Sequence, residues 1–88
     1  MSYDVRIKKS VAKSLTKLPD SVRNKFVALV LALSKLGPYR NDWPNYSKLG
    51  KNEYHCHLDY SHVACWTYEK GTIEIEVYYA GSRENAPY

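Results

Sequence analysis

The sequence predicts an α+β fold in which two N-terminal helices pack on one face of an antiparallel sheet. Three observations predict it: an alternating segment at the N-terminus, two helical patterns after it, and three alternating segments that end the chain. This β-α-α-β-β-β order is typical of a sheet covered on one side by helices. The 88 residues suit a single domain, residues 1–88, with a small core.

The N-terminal half reads as one strand and two helices. Apolar residues alternate with polar ones over residues 3–8, which indicates a half-buried strand. A short helix with an apolar stripe over residues 11–18 ends at Pro19. The second helix, residues 22–36, repeats apolar residues at helical spacing and stops at Gly37.

The C-terminal half reads as three strands after an irregular stretch. Proline, asparagine and glycine break any period over residues 39–52. Alternating residues then predict strands over 53–59, 62–68 and 72–80, and the last two are joined by a three-residue loop ending in Gly71.

All three histidines lie in one segment of eight residues, which spans parts of the first two of these strands. His55 and His57 must share a face, because a strand repeats every second residue. A hairpin about Tyr60-Ser61 that keeps the apolar faces together pairs His57 with Ala64 and His55 with Trp66. We therefore expect all three histidines, including His62, on the face away from the helices.

The same register makes two further predictions. It places Cys56 opposite Cys65 on the core side, as two reduced apolar thiols. It also pairs His62 with Tyr78 across the next hairpin, so the open face would carry histidines, glutamates and aromatic rings.

Composition narrows the class of protein. A net charge of +4 and nine tyrosines mildly favour a polyanionic partner and a surface on which bases stack. No apolar run approaches the ~20 residues of a membrane span, and the N-terminus lacks a signal-peptide pattern, so we expect a cytoplasmic protein.

Two chemistries suit the histidine face. Three imidazoles could hold Zn²⁺, but the cysteines are expected on the other face and no fourth ligand is evident, so we predict no metal or cofactor. RNA cleavage by the 2′-OH is favoured, since His can transfer protons and Arg83 can hold phosphoryl oxygens.

These residues resemble the RelE/ParE superfamily of bacterial toxins, in its RelE-like branch. The resemblance covers the whole chain and rests on an ordered set of short segments. They are Leu49-Gly50, Tyr54-His55-Cys56-His57-Leu58, Tyr60-Ser61-His62-Val63, Tyr79-Ala80-Gly81-Ser82-Arg83 and the terminal Tyr88.

The resemblance implies a ribosome-dependent mRNA endoribonuclease that inhibits translation and pairs with a cognate antitoxin in a hetero-oligomer. It implies a catalytic set in which Arg83 stabilises the phosphorane and His62 contacts the scissile phosphate. His55 and His57 would share phosphate binding and proton transfer, and Tyr88 would transfer a proton or stack. Candidate RNA-binding residues are Lys48, Lys51, Trp66 and Tyr78.

Relatives commonly have Lys or Arg at the three histidine positions. Histidine supplies a positive charge only when protonated, so cleavage is expected to fall as the pH rises through the histidine range. The alternatives are a ParE-like gyrase poison and a catalytically weak homologue that acts as an antitoxin-binding module. Val27 and Leu31 lie outside the inward stripe of the second helix. Either the two helices pack against each other and the sheet, or these residues form an apolar surface for a partner.

Overall fold

A computed structural model of the protein describes residues 2–88 and has two helices packed on a five-stranded sheet. The strands are β1 (Asp4–Ile7), β2 (Ser47–Lys48), β3 (Glu53–His57), β4 (His62–Tyr68) and β5 (Glu74–Ser82). The helices are α1 (Lys9–Leu15) and α2 (Asp20–Leu36), and a 3-10 turn, Arg83–Asn85, follows β5. The predicted α+β class is confirmed. Within residues 2–88, neither helix is long and apolar enough to cross a bilayer.

The sheet has the strand order β1-β5-β4-β3-β2 and is mixed. The three long strands β3, β4 and β5 form the predicted antiparallel meander. The chain crosses over through both helices after β1, and this strand pairs parallel with β5, with Val5 opposite Ile75. The short edge strand β2 lies in the segment predicted to be irregular and pairs Ser47 with His55.

The core lies between α2 and the sheet. The buried face of α2 carries Val22, Phe26, Leu29 and Leu33, at the spacing that the sequence predicted. These residues join a cluster with buried side chains of β3, β4 and β5, the largest of which is Trp66. Helix α2 ends at Gly37, whose φ of 97° lies in the region that favours glycine.

The hairpin between β3 and β4 differs by one residue from the predicted register, and the prediction was wrong. His57 pairs with Val63, His55 with Cys65, and Tyr54 with Trp66. The loop is three residues long, since the N–H of Leu58 donates to the carbonyl of His62 at 2.8 Å.

The Asp59 carboxylate closes this loop. It accepts hydrogen bonds from the backbone N–H groups of Ser61 and His62, both at 2.8 Å. An aspartate that accepts hydrogen bonds from the amides two and three residues ahead stabilises a tight turn. These hydrogen bonds of Asp59, together with burial of the large Trp66 indole, outweigh the apolar alternation on which the predicted register rested.

The hairpin between β4 and β5 is also shifted. His62 pairs with Ser82, whereas the prediction placed Tyr78 there. A bulge between Cys65 and Trp66 changes the register within this pair of strands. The predicted pairing of Cys56 with Cys65 was wrong as well, because Cys56 faces the helices and Cys65 the open side. Both thiols are free and buried, as expected of reduced cysteines.

Candidate functional site

The corrected register divides the three histidines between the two sides of the sheet. His55 and His57 share the side away from the helices with Val63 and Cys65. His62 has the same strand parity as Ala64 and Trp66, so it lies on the helix side at the end of β4. The prediction that all three histidines share one face was therefore wrong.

The edge strand β2 and the segment before it each supply a partner to one histidine of the open side. The Ser47 hydroxyl lies 3.0 Å from His55 Nδ1, and Asn45 Nδ2 lies 3.1 Å from His57 Nδ1. The N–H of His57 also donates to the carbonyl of Pro44 at 2.8 Å. These contacts fix both rings against the segment that leads into β2.

His57 lines an open cleft of about 400 Å³, which we name the His57 cleft. The cleft brings together the end of β3, the loop after it, the segment before β2, α2 and the 3-10 turn. Its lining residues are Lys25, Pro44, Asn45, His57, Leu58, Asp59, Tyr60 and Arg83.

Two cations flank His57 in this cleft. The guanidinium carbon of Arg83 lies 5.3 Å from the centre of the Tyr60 ring, in a cation–π contact. Its backbone N–H donates to the carbonyl of Ser61 at 2.8 Å, which holds the 3-10 turn beside the β3–β4 loop. Within residues 2–88 neither Arg83 nor Lys25 forms an ion pair, so both charges remain available to an anion.

His55 lies between His57 and the C-terminal residue, Tyr88, and its ring is close to both of their rings. The two imidazole rings are 5.9 Å apart, and the Tyr88 ring lies 4.6 Å from His55. Burial lowers the pKa of His55, and the nearby His57 lowers it further, against a hydrogen bond at Ser47 that raises it. Burial raises the pKa of the Tyr88 hydroxyl, while Arg83 opposes that shift. At neutral pH His55 is therefore uncharged and Tyr88 keeps its proton.

His62 belongs to the loop at the edge of the cleft. Its Nδ1 lies 2.9 Å from Asp59 Oδ1. Desolvation raises the pKa of Asp59, but hydrogen bonds from His62 and Ser61 outweigh it, and the net shift is downward. His62 thus holds the carboxylate that closes the β3–β4 loop, and it does not line the His57 cleft.

The four candidate RNA-binding residues have very different surroundings. Trp66 is fully buried and donates from Nε1 to the carbonyl of Pro38 at 3.1 Å, so its placement on an open face was wrong. The Tyr78 hydroxyl donates to Glu53 Oε1 at 3.1 Å. Lys48 in β2 and Lys51 after it are exposed, as a nucleic-acid contact requires.

A three-histidine metal site is not assembled, since His62 lies on the other side of the sheet. Within the described part of the chain, no group of three His, Cys, Asp or Glu side chains is placed to hold a metal ion.

Sequence reasoning missed several residues that form the cleft. Lys25 projects from α2, and nothing in its helical pattern distinguishes it from the other lysines. Asn45 and Asp59 carry a signal that could have been used, because Asn and Asp are the residues that hydrogen-bond locally in turns.

Comparison with known proteins identifies the fold. No protein-family model matches the chain, and no curated protein matches it. Among solved structures, a chain of the archaeal RelE–RelB complex from Pyrococcus horikoshii superposes with a TM-score of 0.76 at 20% identity, covering 98% of this chain and 100% of that one.

Two further structures agree with this result. A mutant of the E. coli toxin RelE in the free state gives a TM-score of 0.75 at 17% identity over 98% of this chain and 88% of that one. The YoeB dimer from Staphylococcus aureus gives 0.73 at 10% identity over 94% of this chain and 99% of that one. The predicted RelE-like fold is therefore confirmed.

Proposed function

We propose that this protein is the toxin of a toxin–antitoxin system and cleaves messenger RNA on the ribosome. The observation that carries the proposal is the His57 cleft, where a hydrogen-bonded imidazole lies beside two cations that have no ion-pair partner within residues 2–88. A fold shared with RelE and YoeB supports a toxin role.

The reaction consists of attack by a ribose 2′-OH on the adjacent phosphorus. The 2′-OH loses its proton to a base, the bond from phosphorus to the 5′-oxygen breaks, and the leaving oxygen gains a proton. Negative charge builds up on the phosphoryl oxygens in between, so fixed donors beside them lower the barrier. No metal ion is needed for this chemistry.

The lining of the cleft suggests a division of roles. Arg83 and Lys25 offer positive charge to the phosphoryl oxygens, and the planar fork of Arg83 can bind two of them. His57 offers a ring nitrogen to the same group. Tyr88, which keeps its proton at neutral pH, can donate it or stack on a base, and His55 supports both rings from behind.

Four further residues of the predicted site would have supporting roles. His62 acts through Asp59 by holding the loop that carries Tyr60. Lys48 in the edge strand β2 and Lys51 after it are exposed and would contact RNA phosphates by charge. Tyr78, whose hydroxyl donates to Glu53, would contact a base through its ring.

The test is induction of the protein in a bacterial host, followed by mapping of cut sites in translated messages. Arg83→Ala should lose about 100-fold or more in cleavage and restore growth. Arg6→Ala is the matched control, because Arg6 is an exposed arginine of β1 bonded to Asp4 and Glu74, away from the cleft.

Each alternative has its own outcome. Toxicity that survives Arg83→Ala and accompanies a loss of gyrase supercoiling would replace the nuclease with a gyrase poison. A parent protein that neither slows growth nor cuts messages, yet binds a neighbouring gene product, would be an antitoxin-binding module.

An antitoxin partner is part of the same proposal. The outer face of α2 exposes Val27 and Leu31 by more than half. They line an apolar groove together with Ile7 of β1. An exposed apolar patch of this kind favours a protein partner. Two of the similar structures are complexes of YoeB with YefM.

The partner proposal is tested by co-purification with the product of the adjacent reading frame. Leu31→Glu should release that product, whereas Ile73→Glu should not, because Ile73 is equally exposed but lies outside the groove. Equal retention by both variants would move the interface away from α2.

A further inference from the structure

All three histidines bond through Nδ1, and their partners differ in chemistry. The pairs are His55 with Ser47 Oγ at 3.0 Å, His57 with Asn45 Nδ2 at 3.1 Å and His62 with Asp59 Oδ1 at 2.9 Å. A carboxylate can only accept a hydrogen bond, an amide nitrogen can only donate one, and a hydroxyl can do either. The partner therefore decides which ring nitrogen carries the proton.

We propose that Asn45 is a positioning residue that holds neutral His57 in the tautomer with its proton on Nε2. The Asn45 amide N–H donates to Nδ1, so Nδ1 must present a lone pair. The single ring proton then stays on Nε2. The opposite arrangement holds at His62, whose Nδ1 must carry a proton to donate to Asp59.

The backbone at Asn45 supports this role independently. Asn45 has a φ of 53°, the only left-handed residue other than glycine in the described chain. Asparagine tolerates that conformation better than most residues. The residue before it, Pro44, accepts the backbone N–H of His57 at 2.8 Å, which fixes the turn to β3. The turn thus places the side-chain amide of Asn45 next to Nδ1 of the His57 ring.

The consequence concerns what His57 can offer a ligand. In the neutral ring Nε2 carries a proton because of Asn45. In the charged ring both nitrogens carry one, and the Asn45 side chain need only turn its oxygen toward Nδ1. An N–H donor at Nε2 therefore exists in both protonation states.

This donor deepens the proposed function and, for its phosphate ligand, rests on it. A phosphoryl oxygen in the His57 cleft could accept from Nε2 without protonation of the ring. Lys25 and Arg83 would supply the fixed positive charge, and Asp59 is the acidic group of the same lining. The neighbouring ring, 5.9 Å away, is the buried neutral His55. His57 would then be a donor to the phosphate, and the base that takes the 2′-OH proton would be another group.

The direct test is the nitrogen spectrum of the imidazole rings in ¹⁵N-histidine-labelled protein, recorded over a pH series so that the neutral form of each ring is observed directly. Long-range proton–nitrogen couplings identify which ring nitrogen carries the proton, and His57→Gln assigns the signal. We expect Nε2–H for His57 and Nδ1–H for His62. A predominantly Nδ1–H ring at position 57 overturns the proposal.

Two substitutions sharpen the test and keep the left-handed turn. Asn45→Asp replaces the donor by an acceptor, so the neutral His57 ring should switch to Nδ1–H. Asn45→Gly removes the side chain without adding charge and should leave a mixture of tautomers. An unchanged Nε2–H ring in both variants would mean that Asn45 does not set the tautomer.

A cleavage assay gives a second, separable result. The rate of Asn45→Asp should fall more steeply with rising pH than that of the parent, since in this variant only the charged ring offers Nε2–H. Asn45→Gly should fall less steeply. For each variant, the rate at high pH is divided by the rate of the same variant at low pH. This ratio removes any effect of the added charge that is the same at all pH values. Failure to cleave at all would refute the nuclease, whereas the tautomer result stands or falls by the spectrum alone.

Discussion

The placement of Trp66 gives the sharpest test of the corrected hairpin register. The register that the sequence favoured places this indole on the open face, where its loss would cost little. In the structure Trp66 is fully buried, stacks near Tyr46 and Tyr54 at ring distances of 6.1 and 6.3 Å, and donates to the carbonyl of Pro38 at 3.1 Å. Trp66→Phe keeps an aromatic ring and removes the donor.

The expected loss has two parts. Leaving the buried carbonyl of Pro38 without a donor costs about 1–3 kcal/mol. The smaller ring leaves unfilled space, which adds about 1 kcal/mol. We therefore expect the free energy of unfolding to fall by about 2–4 kcal/mol. For a domain of this size each kcal/mol lowers Tm by about 4–8 °C, so the melting temperature should drop by at least about 8 °C.

Trp43→Phe is the matched control. Trp43 is half-buried and packs against the edge of the core, and its indole N–H has no hydrogen-bond partner within residues 2–88. Its replacement should cost less than about 1 kcal/mol. Urea unfolding followed by circular dichroism measures both variants. Equal losses in the two variants, or a near-neutral Trp66→Phe, would refute the register.

Three other predictions concern stability and reactivity. Burial, the largest cause, and His57 lower the pKa of His55, so on acidification the unfolded chain binds a proton at this residue before the folded chain does. The unfolding free energy should therefore stay level above about pH 6.5 and fall below it by at most about 1.4 kcal/mol per pH unit. Urea titrations at several pH values measure this slope, which His55→Gln should reduce. Burial raises the pKa of both cysteine thiols to about 12, so neither should react with a disulfide reagent at about pH 8 until urea unfolds the protein. Gly37→Ala should lower Tm more than Gly71→Ala, because both glycines have positive φ but only at Gly37 would a Cβ lie 3.0 Å from the Tyr3 ring.

The sequence was sufficient for the two helices and the four longer strands, but it missed the short strand β2 and was insufficient for the alignment of the strands. Helix α2 and strand β4 were predicted within two residues at each end, because apolar periodicity and a terminating glycine are local signals. The register of β3 against β4 depends on the Asp59 loop and on which side the Trp66 indole is buried. Both alignments of the hairpin offer an apolar face, so alternation alone could not distinguish them.

The candidate site was predictable to the same limited extent. Arg83 and His57, which the sequence prediction assigned to one site from short motifs at the ends of strands, line the same cleft. Lys25 was not predicted, because it reaches the cleft from a helix far away in the sequence. The parallel pairing of β1 with β5 was missed for the same reason: it depends on how the chain crosses over, and no local pattern records that.

The one-residue shift also changes how the histidines should be understood. From the sequence alone, the three histidines are equivalent replacements for fixed cations: His55, His57 and His62. In the structure one is buried and neutral, one lies in the cleft on an amide, and one is bound to a carboxylate. A single charged histidine cluster is therefore the wrong description, and the fixed charge of the site must come from Arg83 and Lys25. Substituting either cation should consequently reduce phosphate binding more than substituting any one histidine, and the reverse order would restore the cluster as the source of charge.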